Sequence, residues 1–381
     1  MLALSETLKR NLIIGITVIL LVVAAKVIFF SKKVEIIKTK QAHIINRIGD
    51  SAWEKISSVV ISDIVAMNFD DSGQYGAAIS LEGSLIKSVD GGENWNSAGA
   101  IPLIAGELVN AIGVSSDGRV VVGTSVDDSS YTGIYRETTD GKWQRTTCQD
   151  CGGILAISND GEIAVGGGGL ISTFDNQLNK SEFNYLPDWA AVSLYGISSS
   201  ENNNKLWVTG ENALVGVSQD HGKSWQNISP SVKSTLPFYS IASSKTGDKL
   251  LVGGVNGRLL LNNEPNNSGQ NNNQNNRESN IESNNNWIEV KGLSKEMMIS
   301  SLLLTDKVLL AGGGKLSGVD GFIVSSVINN SNSANSFDGE IWQYDRLPKG
   351  ITSIVAIKIS ARGLFAASSD GNILRRVKNN F

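Results

Sequence analysis

The sequence predicts an all-β fold, a seven-bladed β-propeller, and three observations carry this prediction. A tight-turn pattern, S-x-D-x-G-x-x-W, occurs twice, at Ser88–Trp95 and at Ser218–Trp225. A strand pair of the kind that precedes these turns recurs seven times, roughly 36 to 64 residues apart, which is the spacing of propeller blades. The last repeat lacks its fourth strand, whereas an unpaired strand precedes the first repeat, so that joining the two would close a ring.

The repeated turn consists of residues that specify shape. Its key positions are Ser88, Asp90, Gly92 and Trp95 in the first copy and Ser218, Asp220, Gly222 and Trp225 in the second. Serine and aspartate side chains bind backbone N–H groups, glycine adopts a positive φ, and tryptophan covers the turn from the next strand. The turn is therefore predicted to be structural, with no reactive group.

The second strand of each repeat is predicted from a hydrophobic run that ends near a glycine, and the third strand from a run that begins near a glycine. The predicted pairs are Gln74–Ile79 with Gly83–Ser88, Arg119–Gly123 with Gly133–Thr138, Glu162–Gly166 with Gly169–Phe174, Lys205–Gly210 with Ala213–Ser218, Lys249–Gly253 with Gly257–Asn262, Lys307–Gly312 with Gly321–Ser326, and Gly363–Ala367 with Gly371–Val377. Upstream strands are predicted at Asn110–Ser115, Ile154–Ser158, Tyr195–Ser199, Tyr239–Ser243 and Ser353–Ile359. Fourth strands open on Trp95, Trp143, Trp225, Trp287 and Trp342.

Closure of the ring is expected between the two ends of the propeller domain, residues 51–381. The segment Ser51–Ile56 has the pattern of a fourth strand, and Gly371–Val377 is the strand that lacks such a neighbour. Their pairing would leave no open sheet edge.

The N-terminal segment predicts a membrane anchor over residues 1–30. Leu12–Ala25 is apolar apart from Gly15 and Thr17, and apolar residues continue past Lys26 to Phe30, a length close to that needed to cross a bilayer. The alternative is a cleaved signal peptide, since Val23–Ala25 resembles a small-residue cleavage site. Residues 31–50 are predicted to form a stalk, helical around Ile36–Ile48.

The orientation of the anchor follows less directly from charge. Lys9 and Arg10 precede the span, whereas Lys32, Lys33, Lys38 and Lys40 follow it, which by itself would keep the propeller in the cytoplasm. A short basic tail before an apolar segment is nevertheless typical of signal anchors. We therefore expect a single-pass protein with an extracytoplasmic propeller.

Composition excludes some partners and marks two insertions. A net charge of −4 with 18% charged residues does not provide the basic surface that a nucleic acid requires. Two Asn-rich stretches, residues 262–286 and 329–336, occur where a turn between third and fourth strands belongs. They are predicted to be disordered insertions.

Cysteine and glycine motifs do not predict a cofactor. Cys148 and Cys151 are expected to form a small loop disulfide in an oxidising compartment or to remain two unused thiols, and too few ligands surround them for a metal site. The runs Gly166–Gly169 and Gly312–Gly314 lack the phosphate-loop pattern and are predicted to be turns between adjacent strands.

The S-x-D-x-G-x-x-W turn resembles the Asp-box, or BNR repeat, of sialidases, sortilin-like receptors and several glycoside hydrolases. Over nearly the whole chain after Ser51, repeats of this form joined by short V-x-x-G strands are more similar to the Ycf48-like family of photosystem II assembly and stability factors. This resemblance implies a propeller that assists a membrane complex, without implying that this chain acts in photosynthesis.

The residues favour a scaffold over an enzyme. A sialidase-like site would need an arginine cluster, a tyrosine activated by glutamate, and an aspartic acid, and no recognisable triad occurs. We predict a membrane-tethered, non-catalytic propeller that binds a protein partner, with a sialidase-like hydrolase or glycan-binding propeller as the alternative. Loop aromatics dominate many interfaces, so Tyr131, Trp189 and Phe238 are predicted as partner contacts.

Overall fold

A computed structural model describes residues 48–377 except for ten gaps. The gaps are residues 57–60, 127–131, 149–151, 175–180, 201–204, 232–234, 264–286, 306–307, 318–319 and 328–341. The described residues form β-strands and short 3₁₀ turns, without an α-helix. In this part of the chain no helix has the length and apolar character to span a membrane. The predicted anchor and most of the stalk lie outside the described residues.

Five sheets each contain four strands that follow one another in the chain and pair antiparallel. The first contains β2 (Ile64–Phe69), β3 (Gly76–Ser80), β4 (Ser84–Ser88) and β5 (Asn96–Ala100), and the second contains β6 (Glu107–Val114), β7 (Val120–Val126), β8 (Thr132–Glu137) and β9 (Trp143–Cys148). The third contains β10 (Ile154–Ile157), β11 (Ile163–Gly166), β12 (Leu170–Phe174) and β13 (Ser181–Tyr185). The fourth contains β14 (Leu194–Ser199), β15 (Leu206–Gly210), β16 (Val215–Ser218) and β17 (Gln226–Asn227), and the fifth contains β18 (Phe238–Ser243), β19 (Leu250–Gly254), β20 (Leu259–Asn262) and β21 (Trp287–Glu289).

The remaining strands form one eight-stranded sheet in which β1 occupies an inner position. Its strands are β22 (Met297–Leu304), β23 (Val308–Lys315), β24 (Gly321–Val327), β25 (Gln343–Arg346), β1 (Ile48–Lys55), β28 (Ile373–Arg376), β27 (Gly363–Ser368) and β26 (Ile354–Ser360), in spatial order. β1 pairs antiparallel with β28, Trp53 opposite Arg376 and Lys55 opposite Leu374. The pairing predicted between the two ends of the domain is therefore present, and β1 also pairs parallel with β25.

We call each run of consecutive antiparallel strands a group: the five four-stranded sheets, β22–β25 and β26–β28. The first strands of successive groups contact one another in a closed circuit: β2, β6, β10, β14, β18, β22, β26 and again β2. The second strand of each group is covered by neighbours on both faces. β3, β15 and β19 are buried along their whole length, which is why these strands appear in the sequence as continuous hydrophobic runs rather than as alternating patterns.

The hydrophobic core lies between sheets. One cluster joins Phe69 and Trp95 of the first sheet to Phe365 of β27, with the Phe69 and Phe365 ring centroids 5.5 Å apart. Another joins Trp207 and Val215 to Phe238 of the next sheet. Because each sheet packs its face on the next, the circuit is stabilised by apolar burial all the way round.

The two predicted tight turns have almost the same hydrogen bonds. The N–H of Gly92 donates to Ser88 Oγ at 2.8 Å, and the indole N–H of Trp95 donates to Gly92 O at 3.1 Å. In the second copy, Gly222 donates to Ser218 Oγ at 2.8 Å and Trp225 donates to Gly222 O at 3.0 Å. Gly92 and Gly222 have φ angles of 89° and 84°. These contacts close each turn on itself, as predicted.

The aspartates of these turns accept hydrogen bonds from the residue four positions later. The backbone and side-chain amides of Asn94 lower the pKa of Asp90 to about 2. The hydroxyl and backbone N–H of Ser224 lower the pKa of Asp220 to about 2. Both carboxylates therefore stay ionised at neutral pH and act as structural acceptors.

Two sequence predictions about loops need correction. The run Gly312–Gly314 is not a turn but part of strand β23, where Gly313 lets the carbonyl group of Met298 approach closely. Gly167–Gly169 does form the 3₁₀ turn between β11 and β12, as predicted. The first Asn-rich insertion begins after Asn262, which is buried and pairs with Trp287 in the ladder between β20 and β21.

Candidate functional site

The strand order defines two faces of the molecule. At one face, which we call the start face, the first strand of each group begins, and the loops between second and third strands lie there too. The opposite face, which we call the turn face, carries the two Ser-Asp-Gly-Trp turns. This assignment follows from the antiparallel pairing of consecutive strands within each group.

Each first strand contains a β-bulge one residue after a buried residue near the start face. The bulged residues are Val65, Asn110, Leu155, Tyr195, Tyr239, Ser300 and Val355. All of them are partly exposed. A bulge leaves one residue out of the ladder and redirects its side chain. Because the first strands line the inside of the circuit, these side chains surround the mouth of a central channel.

Polar bulged residues connect neighbouring groups. The Asn110 amide donates to the carbonyl of Ile154 at 3.2 Å, and the Ser300 hydroxyl donates to the carbonyl of Ile354 at 2.6 Å. Each bond joins one first strand to the next. Hydrogen bonds between neighbouring first strands therefore stabilise the channel mouth in addition to apolar packing.

Tyr195, Glu211 and Tyr239 form a cluster on one side of the mouth. The Tyr195 hydroxyl donates to Glu211 Oε1 at 3.0 Å, and the two tyrosine rings lie 5.1 Å apart at an angle of 38°. Glu211 sits in the short 3₁₀ turn Glu211–Ala213 between β15 and β16. Burial, followed by the negative charge of Glu211, raises the pKa of both tyrosines.

The turn-face end of the channel is crossed by a lysine. Lys358 of β26 donates from Nζ to Asn159 Oδ1 at 2.9 Å, although Asn159 follows β10. In the circuit of first strands, β2 and β6 separate β26 from β10, so this bond spans the channel. Lys358 is only partly exposed, and desolvation by the surrounding protein lowers the pKa of its ammonium group to about 8. A carboxylate, Asp71, also lies at this end, and burial followed by the charge of Asp160 raises its pKa.

The burial of Lys358 predicts a pH-dependent cost to stability. In the folded state the pKa falls from 10.5 to about 8, so the penalty is fully present below pH 8 and is lost between pH 8 and 10.5, where only the unfolded chain keeps the proton. We expect Lys358→Met to raise the free energy of unfolding at pH 7 by about 1–2 kcal/mol, with the gain shrinking toward pH 10.5. Urea denaturation of both proteins at several pH values measures this difference.

The control for this experiment is Lys223→Met, which removes an exposed lysine on the same face. A gain at Lys358→Met that stays constant from pH 7 to 10.5 would contradict the interpretation, since it would arise from packing rather than from the buried charge.

The structure gives the three predicted contact residues different surroundings. Trp189 lies in the 3₁₀ turn Asp188–Ala190 on the start face, half-buried beside Gly216. Phe238 is fully buried, with the Arg258 guanidinium 4.5 Å from its ring centroid, so the expectation of an exposed loop aromatic was wrong. Tyr239, the bulged residue that follows Phe238, is the partly exposed one of the two. Tyr131 lies outside the described residues.

Other predicted features are only partly covered by the structure. Cys148 ends β9, whereas Cys151 lies outside the described residues, so their disulfide stays a prediction. Among the described residues, no group of three or more His, Cys, Asp or Glu side chains could hold a metal ion.

Sequence reasoning missed Tyr195, Glu211, Tyr239 and Lys358 as site residues. One signal was present, because Tyr195 and Tyr239 open equivalent predicted strands in consecutive repeats. Nothing in the sequence connects Glu211 or Lys358 to the channel, since their placement depends on how the sheets are arranged in a circuit.

The start face also carries most of the large exposed apolar side chains. Five of the eight such residues in the described part of the chain lie there: Ile104, Leu108, Tyr185, Leu236 and Leu316, with exposed fractions of 37% to 58%. Val89, Ile359 and Val377 lie at the turn-face ends of their strands. Concentration of apolar side chains on one face is typical of a protein-binding surface.

The Tyr195–Glu211 pair resembles one element of sialidase chemistry, but the other elements are dispersed. Described arginines are engaged separately: Arg145 pairs with Glu107, Arg375 with Glu54, and Arg376 with Asp345. The pKa of Tyr195 is raised, whereas a nucleophile benefits from a lowered one. The geometry therefore gives catalysis little support.

Solved structures similar to this chain are β-propellers. The structure described as YCF48 bound to D1 peptide has a TM-score of 0.61 and 16% identity, covering 88% of this chain and 99% of that one. The mitotic checkpoint complex gives a TM-score of 0.58 at 14% identity, covering 92% and 98%. The WD40 β-propeller domain of Doa1 gives 0.56 at 13%, covering 87% and 98%. No protein-family model and no curated protein sequence matches the chain. These likenesses establish the fold as a β-propeller.

Proposed function

We propose that this protein is a non-catalytic, seven-bladed propeller scaffold that binds a protein partner on its start face. The proposal rests on the concentration of Leu108, Tyr185, Leu236 and Leu316 on the start face. Counting the eight-stranded sheet as two blades, β22–β25 and β26–β28 with β1, gives one blade for each first strand in the circuit. The turns at Ser88–Trp95 and Ser218–Trp225 then act as Asp-box turns that shape the opposite face.

The similar solved structures support protein binding as the class of function. One of them is described as YCF48 bound to D1 peptide and another as the mitotic checkpoint complex. Propellers offer a rigid rim on which loops present contacts, and an interface draws most of its affinity from a few apolar and aromatic side chains. Trp189, half-buried on the same face, belongs to this surface in the proposal.

The proposal includes a membrane location. Residues 1–30 supply a single-pass anchor and hold the propeller outside the cytoplasm, where it assists assembly or stability of a membrane complex in a Ycf48-like manner. The apolar run Leu12–Ala25 and the repeat pattern support this part. Protease added outside sealed native vesicles tests this placement, because it cleaves only a propeller that lies on their outer side.

Affinity purification of the full-length protein from its native membrane in mild detergent tests the function. We expect a defined membrane complex to remain bound at near-equal stoichiometry. Leu236→Glu combined with Leu316→Glu places two charges on the apolar start face, and we expect at least tenfold less retained partner, because burying an unpaired charge in an interface is costly.

Val89→Glu is the matched control, since Val89 is 64% exposed on the turn face. This variant should retain the partner fully, and thermal unfolding should match wild type for both proteins. Equal retention by the start-face and turn-face variants would refute binding at the start face. Isolation of the wild-type protein alone would refute the scaffold itself.

A further inference from the structure

The cluster at the channel mouth contains a carboxylate with an unused oxygen. Glu211 Oε1 accepts the hydroxyl of Tyr195, whereas no described residue donates to Oε2 or forms an ion pair with Glu211. Tyr239 lies against Tyr195, partly exposed, and none of the described residues bonds to its hydroxyl. A carboxylate in such a concave, partly desolvated position favours a cationic partner.

The neighbouring protein charge does not neutralise Glu211. Arg258 lies on the loop before β20, at the start face, but its guanidinium stacks on Phe238 and donates to the carbonyl of Leu236 at 3.2 Å. The raised pKa of Tyr239, caused by burial and then by the charge of Glu211, is consistent with a negative potential at the mouth.

The rest of the mouth fits a long side chain with a charged end. Val65, Leu155 and Val355 are bulged residues at the equivalent positions of other first strands, and each keeps part of its apolar surface exposed although Val65 and Val355 also pack against the core. An aliphatic stem can lie against such residues while its cationic group reaches a carboxylate, and aromatic rings attract lysine and arginine further.

We propose that Glu211, Tyr195 and Tyr239 form a receptor for one lysine or arginine side chain of the partner, inserted at the channel mouth. The inference rests on the proposed function and specifies how the start face selects its partner. The bond between Lys358 and Asn159 crosses the channel at the far end. A single inserted side chain, rather than a threaded segment, is the ligand that this arrangement fits.

Saturation-transfer NMR on the full-length protein in detergent tests the receptor with capped pentapeptides, acetyl-Ala-Ala-Xaa-Ala-Ala-amide, in which Xaa is Arg, Lys, Leu or Glu. We expect the Arg and Lys peptides to bind at least tenfold more tightly than the Leu and Glu peptides. Glu211→Gln should weaken binding of the Arg peptide about tenfold, because the amide keeps an oxygen for the Tyr195 hydroxyl and removes only the charge.

Glu82→Gln is the matched control, because Glu82 is an exposed carboxylate in the equivalent start-face loop between β3 and β4. Its affinity for the Arg peptide should equal wild type. The inference is overturned if Glu211→Gln and Glu82→Gln have the same effect, if the Glu peptide binds as well as the Arg peptide, or if no peptide binds. Partner retention by the Leu236→Glu and Leu316→Glu protein decides the proposed function separately.

Discussion

Replacing Trp53 with alanine is expected to lower the free energy of unfolding by about 4 kcal/mol, as for other large aromatic truncations in a core. Trp53 is 4% exposed and packs with Leu310, Ile323 and Leu374. Its indole N–H donates to Asp345 Oδ2 at 2.9 Å. The substitution therefore leaves both a cavity and a buried carboxylate with one donor fewer. Urea denaturation of the full-length protein, followed by far-UV circular dichroism, measures the loss.

The size of this effect comes from where Asp345 lies. Its side chain is fully buried in β25, and it accepts hydrogen bonds from Trp53 of β1 and Ser325 of β24, with Arg376 of β28 3.3 Å away. One carboxylate thus connects the first strand of the domain, β1, and its last strand, β28, to β24 and β25 of the same sheet. Removing one partner of a buried charge costs more than the hydrogen bond itself contributes.

Two variants separate the cavity from the hydrogen bond. Trp53→Phe keeps most of the ring volume and loses the donor, and we expect it to cost about 1–2 kcal/mol. Trp143→Ala truncates a partly buried tryptophan at the start of β9, away from the closing strands, and should also cost about 1–2 kcal/mol. If Trp53→Ala costs no more than Trp143→Ala, closure through β1 adds nothing to stability beyond ordinary core packing.

The arrangement of strands is largely predictable from the sequence because it depends on local patterns. The turns at Ser88–Trp95 and Ser218–Trp225 mark where the third strands β4 and β16 end. Hydrophobic runs locate the second strands, such as β15, to within a few residues. The fourth strand supplied by Trp53 was also predictable, since the final repeat lacks one.

The site is less predictable because strand ends are harder to place than strands. Phe238 is the first residue of β18, one residue before the predicted start at Tyr239, and buried and partly exposed residues alternate from there to Ser243. The exposure of Phe238 was mispredicted because the residue was assigned to the preceding loop. Contacts such as Lys358 with Asn159 depend on the circuit of sheets, to which no local pattern refers.

The bulges in the first strands explain why a small residue of the second strand, most often glycine, pairs with the residue before each bulge. In four groups the residue paired with the last residue before the bulge is Gly166, Gly210, Gly254 or Gly313. A methyl group at Gly166 would overlap the carbonyl oxygen of Gly153, which the bulged strand brings close. The other groups hold Ser80, Thr124 and Ser368 there, so only small residues occupy this position.

Gly166→Ala is accordingly expected to lower the free energy of unfolding by about 3 kcal/mol, at the upper end for overpacking by one methyl group. Backbone strain is not the cause, because Gly166 has φ −162°, an extended conformation open to alanine. Denaturant unfolding of the full-length protein measures the loss. Gly152→Ala is the matched control, since the nearest atom to its added methyl group is Gly167 Cα at 3.2 Å, and it should cost under about 1 kcal/mol. Equal losses at the two glycines would mean that the carbonyl group of Gly153 moves aside, and that the bulge does not require glycine.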